Sequence, residues 1–590
     1  MSKDSIQNVL NKKYFWAFDV RLTLTDSKML KKFQKYTIFC NPQWQLLLPL
    51  LVFISCRFFF ILRIEQNSSF QTFIDHFLYP LCFDGLIYLL VVAVLQRLLK
   101  LKRALIILTA YYFISGLIYF HHYKLYHTPP GTGAFAALFE TTPQEAMEFS
   151  KLSDFWDLLG TFFLSILPLL SVFLVKKSTI KSNQLLYTAC LFFIISFLIH
   201  IPYLDAPKDS LMPMDYSHQH RDAKNVYHYF EEYNNLIQLG DKRKDVSFNA
   251  KQKTPLNQSK QAHILVIGES LARNHMSIYG YHRKTTPRMD TATDVLFYNN
   301  VISPTTQTRS SIVRMLTPAF GMNTARFYEE GSIITAMRES GFKTYWISNQ
   351  GRYGIADTET SALADDAHES TFVNTDWNAK SLDEKVIAPL REVLSQKEKK
   401  IFIMIHLLGS HFEYTKRVPD GTKFKINDRF VNEKLSSSQM KRVDEYDATV
   451  KYSDFIIDTL LHSLRKSQYE LSSLLFVSDH GEDVYDDENQ LLGHGSPIIT
   501  KYTVEIPFIL WQSKNFLNQT IGEQSNQLAY FYNSGNLFHS LIDLYDLQLE
   551  SFEPKRSIFS KNYEENYNYI INSNGFKINY SDLKDAEKKK

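Results

Sequence analysis

The first 205 residues of this 590-residue chain hold five long apolar runs, at residues 44–64, 77–95, 104–121, 155–175 and 185–204. A helix needs about 20 residues to cross the hydrocarbon of a bilayer, and each run reaches roughly that length. A helix in a soluble core buries one stripe and shows water the other. These runs have no polar face, and cationic segments punctuate them. Their few irregular members are Pro49, Arg57, Asp84, Asp157 and Pro168. The expectation is a membrane domain over residues 1–205 with five transmembrane helices. The net charge of +3 singles out no partner, and nothing in the chain calls for nucleic acid. All four Cys (Cys40, Cys56, Cys82 and Cys190) lie in this first half, so no disulfide or thiolate metal site is expected beyond it.

Charge sets the expected orientation. The leader carries Lys12, Lys13, Arg21, Lys28, Lys31, Lys32 and Lys35, and no cleavable signal is visible in it. The connection between the second and third runs carries Arg97, Lys100, Lys102 and Arg103. That between the fourth and fifth carries Lys176, Lys177 and Lys181. Basic connections stay in the cytoplasm, so the N-terminus is placed inside. An odd number of spans then puts residues 206–590 outside the cytoplasm. No ATP is available there, so a substrate must carry its own activation, as a lipid or a surface polymer does. The outward connection at residues 123–154 ends in an expected amphipathic surface helix, 134–152. Its apolar contacts are Phe135, Leu138, Phe139, Met147 and Phe149, with Glu140, Thr141, Thr142 and Glu145 among them.

Residues 206–260 read as a polar linker, helical around 222–239 and a loop over 240–260. From residue 261 to 590, strand-like runs at 264–267, 344–348, 400–407, 474–477 and 507–511 alternate with helical patterns at 332–340, 385–395 and 446–464. This alternation predicts an α/β domain with a sheet covered on both faces.

Two of these strands end in metal-competent side chains. The first breaks at Gly268 and delivers Glu269 and Ser270; the other ends in Ser478-Asp479-His480-Gly481. His411 follows a third strand, and His494 lies in Gly493-His494-Gly495. Carboxylates with imidazole suit Zn²⁺, or Mn²⁺, better than Mg²⁺. His406 reads as a structural or supporting residue. A nucleophile is sought in Ser303-Pro304-Thr305-Thr306-Gln307-Thr308-Arg309-Ser310-Ser311, which opens a helix-like run at 310–316. A hydroxyl there can simply cap the helix. The same geometry lets backbone N–H groups hold a phosphate while a metal activates the hydroxyl. Spacing leaves Thr305, Thr306 and Thr308 open, with Ser270 as a rival.

Further motifs accompany these: Tyr279-Gly280-Tyr281, Thr285-Thr286-Pro287, Asn299-Asn300-Val301, His406-Leu407-Leu408-Gly409-Ser410-His411, Tyr446-Asp447 and Ser478-Asp479-His480-Gly481-Glu482. As a set they resemble the phosphoethanolamine transferases of Gram-negative inner membranes, within the alkaline phosphatase/sulfatase superfamily. The resemblance implies an alkaline-phosphatase-like catalytic domain with Glu269, Asp479 and His480 on zinc. Thr308 is then the nucleophile and fourth ligand, since Thr306 falls two positions early. It implies that His411 and His494 bind phosphate or a second metal. Thr141 and Glu145 then match a pocket for the ethanolamine head group. Ala137 stands where lipid-A-modifying members tend to have Asn, and the catalytic half lacks their Cys pairs. With Ile347-Ser348-Asn349-Gln350 these departures look more like the branch that modifies the core heptose.

The implied reaction has two steps. Thr308 takes phosphoethanolamine from phosphatidylethanolamine, and a lipopolysaccharide acceptor then takes it from Thr308. The implied location is the inner membrane, multi-pass, with a cytoplasmic N-terminus and a periplasmic catalytic domain. The rival readings are a phosphoglycerol transferase of the same architecture, a sulfatase or phosphodiesterase, and a non-catalytic assembly protein. Thr306-Gln307-Thr308-Arg309 does not supply the Cys or Ser that sulfatases convert to formylglycine.

Overall fold

The computed structural model describes residues 42–65, 70–126, 129–131, 134–135, 155–175, 194–195, 216–243, 246–253, 259–321, 326–351, 358–374, 380–495, 498–516, 527–572 and 575–583. The four long apolar helices among the described residues of the first half are α1 (Pro42–Glu65), α2 (Tyr79–Leu98), α3 (Leu101–Tyr126) and α4 (Phe155–Leu174); the short helical segments Phe70–Phe73 and Ile74–Leu78 lead into α2. At 24, 20, 26 and 20 residues they are about 30 to 39 Å long. Leu47, Leu50, Phe53, Tyr88, Tyr112 and Leu164 pack between them. Leu90, Val94, Ile107, Ile114, Leu170 and Phe173 are exposed on the outside of the bundle. Ile74–Val92 and Leu101–Lys124 are long and apolar enough to cross a membrane; Leu46–Leu62 and Leu159–Leu174 are shorter apolar helices. The expected fifth span at 185–204 falls outside the described residues, residues 194–195 apart. So do residues 136–152 of the expected surface helix, with Ala137, Thr141 and Glu145.

The linker forms one long helix, α5 (His218–Arg243), which begins before the expected 222–239 and outlasts it. Within the expected loop, Lys251–Gln252 pairs antiparallel with Leu547–Gln548. A two-residue pairing across such a sequence distance has no local signature.

The second half is built on a seven-stranded sheet. Its strands are β1 (Gln261–Gly268), β2 (Val295–Tyr298), β3 (Lys343–Ser348), β4 (Glu369–Phe372), β5 (Lys400–His406), β6 (Leu471–Ser478) and β7 (Phe508–Gln512). The order is β2-β7-β6-β1-β5-β3-β4, with β7 antiparallel to both of its neighbours. β1 and β6 are buried along their whole length, as central strands covered on both faces are. Side chains alternate between two cores. Leu265, Ile267, Met404, Leu475 and Val477 enter one; Ile264, Val266, Ile403, Leu474 and Phe476 enter the other.

The register places the chemistry. Gly268 pairs with Ser478, and His406 pairs with both Ile267 and Ser348. The residues that follow β1, β3, β5 and β6 therefore emerge together at the carboxyl edge of the sheet, the usual ligand edge of such sheets. Helix α6 (Thr308–Leu316) starts at Thr308, two positions before the expected 310. Gln307 enters it in extended conformation. Its buried side chains Ile312, Met315 and Leu316 belong to the first core.

The loop after Glu269 is latched by helix α7 (Ser437–Arg465). The Tyr446 hydroxyl donates to Ser270 O at 2.8 Å and accepts from Ala272 N at 2.9 Å. Asp447, fully buried, accepts from Tyr281 at 3.0 Å, pairs with His275 Nδ1 at 2.7 Å and bonds Arg283. His275 Nε2 reaches Asp486 at 2.9 Å. The Tyr281 and Asp447 motifs thus serve to brace the site. Burial alone would lower the His275 pKa, but Asp486 and Asp447 outweigh it and carry it up to about 10. Its unfolded value is about 6.5. The stabilisation is therefore complete below that pH and is lost as pH rises toward 10. Replacing His275 by Gln leaves Asp447 short of a partner and should cost about 3–5 kcal/mol at pH 6. Denaturant melts of both proteins from pH 6 to 10 check this: the two curves should converge as pH rises.

Candidate metal centre

Five side chains from four separate stretches of the chain, Glu269, Thr308, Asp479 with His480, and His494, meet at the carboxyl edge. Thr308 Oγ1 lies 3.2 Å from Glu269 Oε2 and 3.2 Å from His480 Nε2. Asp479 Oδ2 is 3.2 Å and Glu269 Oε1 3.6 Å from the same His480 nitrogen. One donor atom each from Glu269, His480 and His494 all lie within 4.8 Å of one another, so these three can hold a metal ion. The rings of His480 and His494 sit 4.0 Å apart, and His411 stands 6.4 Å from His494.

The backbone around these groups is tied in place. Asp479 Oδ1 accepts from Ser270 N at 3.1 Å and His480 N at 2.7 Å. Ser270 is held at φ +55°, a left-handed conformation that costs a non-glycine residue about 1–3 kcal/mol. Asp383 accepts from Leu408 N and Gly409 N, both at 2.9 Å, and Ser410 N donates to Glu269 O at 2.9 Å. Gly409 has φ +49°, and a Cβ there would stand 2.6 Å from Glu269 O. Only glycine lets the two loops approach this closely.

Electrostatics explains what this donor set lacks. Glu269, Asp479 and His480 are fully buried. Burial pushes the Glu269 carboxyl up, but His480, His411 and His494 outweigh it and hold it near 2. Burial and the Glu269 charge push Asp479 well above the carboxylate range. Burial, then His494, lowers His480 to about 3, so its imidazole is neutral. The neutral His480 ring donates from Nδ1 to Gly481 O at 2.8 Å, so the Nε2 that faces Asp479 Oδ2 carries no proton and Oδ2 receives no hydrogen bond, an expensive state for a buried carboxylate oxygen. Two adjoining carboxylates, one with an orphaned oxygen, beside a neutral imidazole form a set that a divalent cation satisfies. N and O donors in this mix fit zinc.

Among the candidate nucleophiles, only Thr308 combines contact with this cluster and access. It is half-buried, while Thr305, Thr306 and Ser270 are buried. Thr305 is engaged with Gln307 O and Ser311, and Thr306 Oγ1 has no partner. Ser270 Oγ donates to Glu269 Oε1 at 2.8 Å. His406 stays buried in the sheet, outside the cluster, with both ring nitrogens unpartnered and its pKa lowered by burial to about 4.

Two contributors escaped the sequence reading. Gln350 Nε2 donates to Glu269 Oε2 at 2.8 Å and to Leu407 O at 3.2 Å. Glu482 Oε2 pairs with His494 Nδ1 at 2.5 Å, and its Oε1 accepts from Tyr414 at 2.7 Å. Burial opposes charge on His494, but Glu482 outweighs it and raises the pKa. Both residues lie inside motifs that were recognised, but nothing in the spacing says which ligand each would orient.

Known proteins are similar to parts of this chain. The sulfatase family profile matches residues 261–547. Phosphoethanolamine transferase EptC of Escherichia coli O18:K1:H7 (strain RS218 / NMEC) is 29% identical over 354 residues, 59% of this chain and 61% of that protein. The chain thus matches about three fifths of the length of this relative. The crystal structure of the C-terminal periplasmic domain of EptC from Escherichia coli, in complex with Zn, superposes with a TM-score of 0.53 at 29% identity. It covers 57% of this chain and 96% of that domain. The integral membrane protein lipooligosaccharide phosphoethanolamine transferase A from Neisseria meningitidis shares the fold over both halves. Its TM-score is 0.67 at 18% identity, covering 88% of this chain and 97% of the other. A helical half and an α/β half are thus found joined in one known fold, and residues 261–547 of this chain match the sulfatase family profile and are similar in sequence to named phosphoethanolamine transferases.

Proposed function

We propose that this chain is a zinc-dependent phosphoethanolamine transferase of the inner membrane, with residues 1–205 in the bilayer, 206–260 as linker and 261–590 in the periplasm. Its donor is phosphatidylethanolamine and its acceptor lipopolysaccharide, with the core heptose favoured over lipid A. The observation that carries this reading is the placement of the Thr308 hydroxyl, 3.2 Å from both Glu269 and His480. The sequence kinship with named phosphoethanolamine transferases supports the choice of group.

In the first step Thr308 Oγ1 passes its proton toward Glu269 Oε2 and forms a bond to phosphorus. The bond from phosphorus to the diacylglycerol oxygen breaks, and that oxygen leaves with a proton. His494, held by Glu482 through Nδ1, is the proposed donor, through Nε2. In the second step an acceptor hydroxyl gives its proton to His494 Nε2 and its oxygen bonds to the same phosphorus; the bond from phosphorus to Thr308 Oγ1 breaks, and Thr308 leaves as the hydroxyl with the proton held at Glu269 Oε2. Glu269, Asp479 and His480, with Thr308, are the proposed zinc ligands, and His411 is a proposed contact for the phosphoryl oxygens. Zinc, when bound, would lower the Thr308 pKa and offset charge on the phosphoryl group. Thr141 and Glu145 are the proposed contacts for the ethanolamine head group.

Diacylglycerol release from vesicles of a single phospholipid tests the donor. Phosphatidylethanolamine vesicles with a core oligosaccharide acceptor should support turnover, and phosphatidylglycerol vesicles should not. Turnover on phosphatidylglycerol alone would make the enzyme a phosphoglycerol transferase. Equal head-group release with and without acceptor would make it a hydrolase.

A further inference from the structure

Ionisable residues inside membrane helices carry a solvation cost and call for named partners. Asp84 of α2 is fully buried, and all its described acceptor bonds go to the start of the linker helix α5. Asp84 Oδ1 accepts from Ser217 Oγ at 2.8 Å and Gln219 N at 3.0 Å, and Oδ2 accepts from His218 N at 3.0 Å. A carboxylate from one helix thus caps the N-terminus of another, satisfying its orphan N–H groups and its dipole.

Two more membrane helices grip the same point. The His218 ring is held by Arg57 Nη1 of α1 at 2.7 Å and by Ser115 Oγ of α3 at 2.7 Å. Arg57 also donates to His76 O at 2.6 Å and lies over the Tyr119 ring at 4.5 Å. Arg57 and Asp84 each lie seven residues inside the expected outer ends of their spans, at Ile64 and Phe77. That is a depth of about 10 Å. Helix α5 is therefore seated within the membrane domain, at the outer side of the expected topology.

The far end of this contact chain is the nucleophile. Helix α5 packs against Arg326–Glu329 and Thr358–Asp365 of the catalytic half, and Thr358–Asp365 packs in turn on α6, whose first residue is Thr308. We infer that Asp84, with Arg57, is a positioning residue: it fixes α5 as a rigid strut that sets the height and orientation of Thr308 over the lipid surface. This rests on the proposed use of a membrane lipid as donor. A soluble substrate reaches Thr308 whatever the tilt of the domain. A head group held at the bilayer surface does not.

The test compares two substrates on the zinc-loaded, full-length protein in bilayer discs. Asp84→Ala should cut diacylglycerol release from phosphatidylethanolamine by about a hundredfold, the order of loss that a displacement of about 1 Å can produce. Hydrolysis of a soluble phosphodiester, bis(p-nitrophenyl) phosphate, should stay within experimental error of the wild type. Asp84→Asn, which keeps one capping oxygen, should recover part of the lipid activity. Parallel loss of both activities in Asp84→Ala, or loss of neither, overturns the inference. Spin labels introduced as unnatural amino acids at the exposed positions Leu98 and Val431 give a second readout that needs no substrate. The distance distribution should be narrow in the wild type and broad in Asp84→Ala; equal widths overturn the strut. If the wild type releases nothing from phosphatidylethanolamine while this broadening is seen, the donor reading fails and the strut stands.

Discussion

Thr308→Ala should abolish transfer, with a loss on the order of 10⁴-fold or more, as removal of a nucleophile produces elsewhere. The fold should survive, because Thr308 is half-buried at the first position of its helix and Ala suits a helix better than Thr. The decisive comparison is Thr306→Ala. Thr306 Oγ1 is buried and meets no partner, so its removal should leave turnover close to the wild type. Turnover assays on phosphatidylethanolamine vesicles check both. An active Thr308→Ala beside an inactive Thr306→Ala would move the nucleophile to Thr306. This pair also bears on Ser270, whose hydroxyl touches Glu269 but is fully enclosed.

The second large effect concerns Asp479. Without a cation this residue is a liability, a buried carboxyl with one orphaned oxygen beside a second carboxylate. Asp479→Asn keeps the shape, and its remaining oxygen can keep the bonds from Ser270 N and His480 N. In chelator the variant should therefore be at least as stable as the wild type. Zinc reverses the comparison. At a thousandfold excess over its dissociation constant, a ligand that binds only the folded state adds about 4 kcal/mol. The wild type should gain that much on zinc addition and the variant almost nothing. Thermal melts of both proteins with chelator and with zinc give the four numbers required. Equal zinc-induced gains in the two proteins would remove Asp479 from the ligand set.

The strands that deliver chemistry were the legible part of this chain. The runs at 264–267 and 474–477 are interior segments of Gln261–Gly268 and Leu471–Ser478, because central strands are apolar on both faces and stand out in composition. The short edge strands Val295–Tyr298 and Glu369–Phe372 were not among the strands read from sequence, since four residues with one open side carry little pattern. Glu269, Thr308, Asp479, His480 and His494 were all named from sequence, and the fold brings them into one cluster. Gln350 and Glu482 were visible only as members of motifs. Their contacts cross 81 and 12 positions of sequence, and side-chain pairing of that kind has no period to detect. The same holds for Asp84. It could be seen as an odd charge in an apolar run, but its partner Ser217 lies 133 positions away.

The central claim is that Thr308 carries phosphoethanolamine between donor and acceptor. The direct measurement is peptide mapping by mass spectrometry of the zinc-loaded protein after exposure to phosphatidylethanolamine labelled in its head group, with no acceptor present. The label and the added mass of one phosphoethanolamine should appear on the peptide that holds Thr308, with fragment ions assigning it to that residue. Label on Thr306 or Ser270, or no adduct at any time point while diacylglycerol is released, would contradict the account.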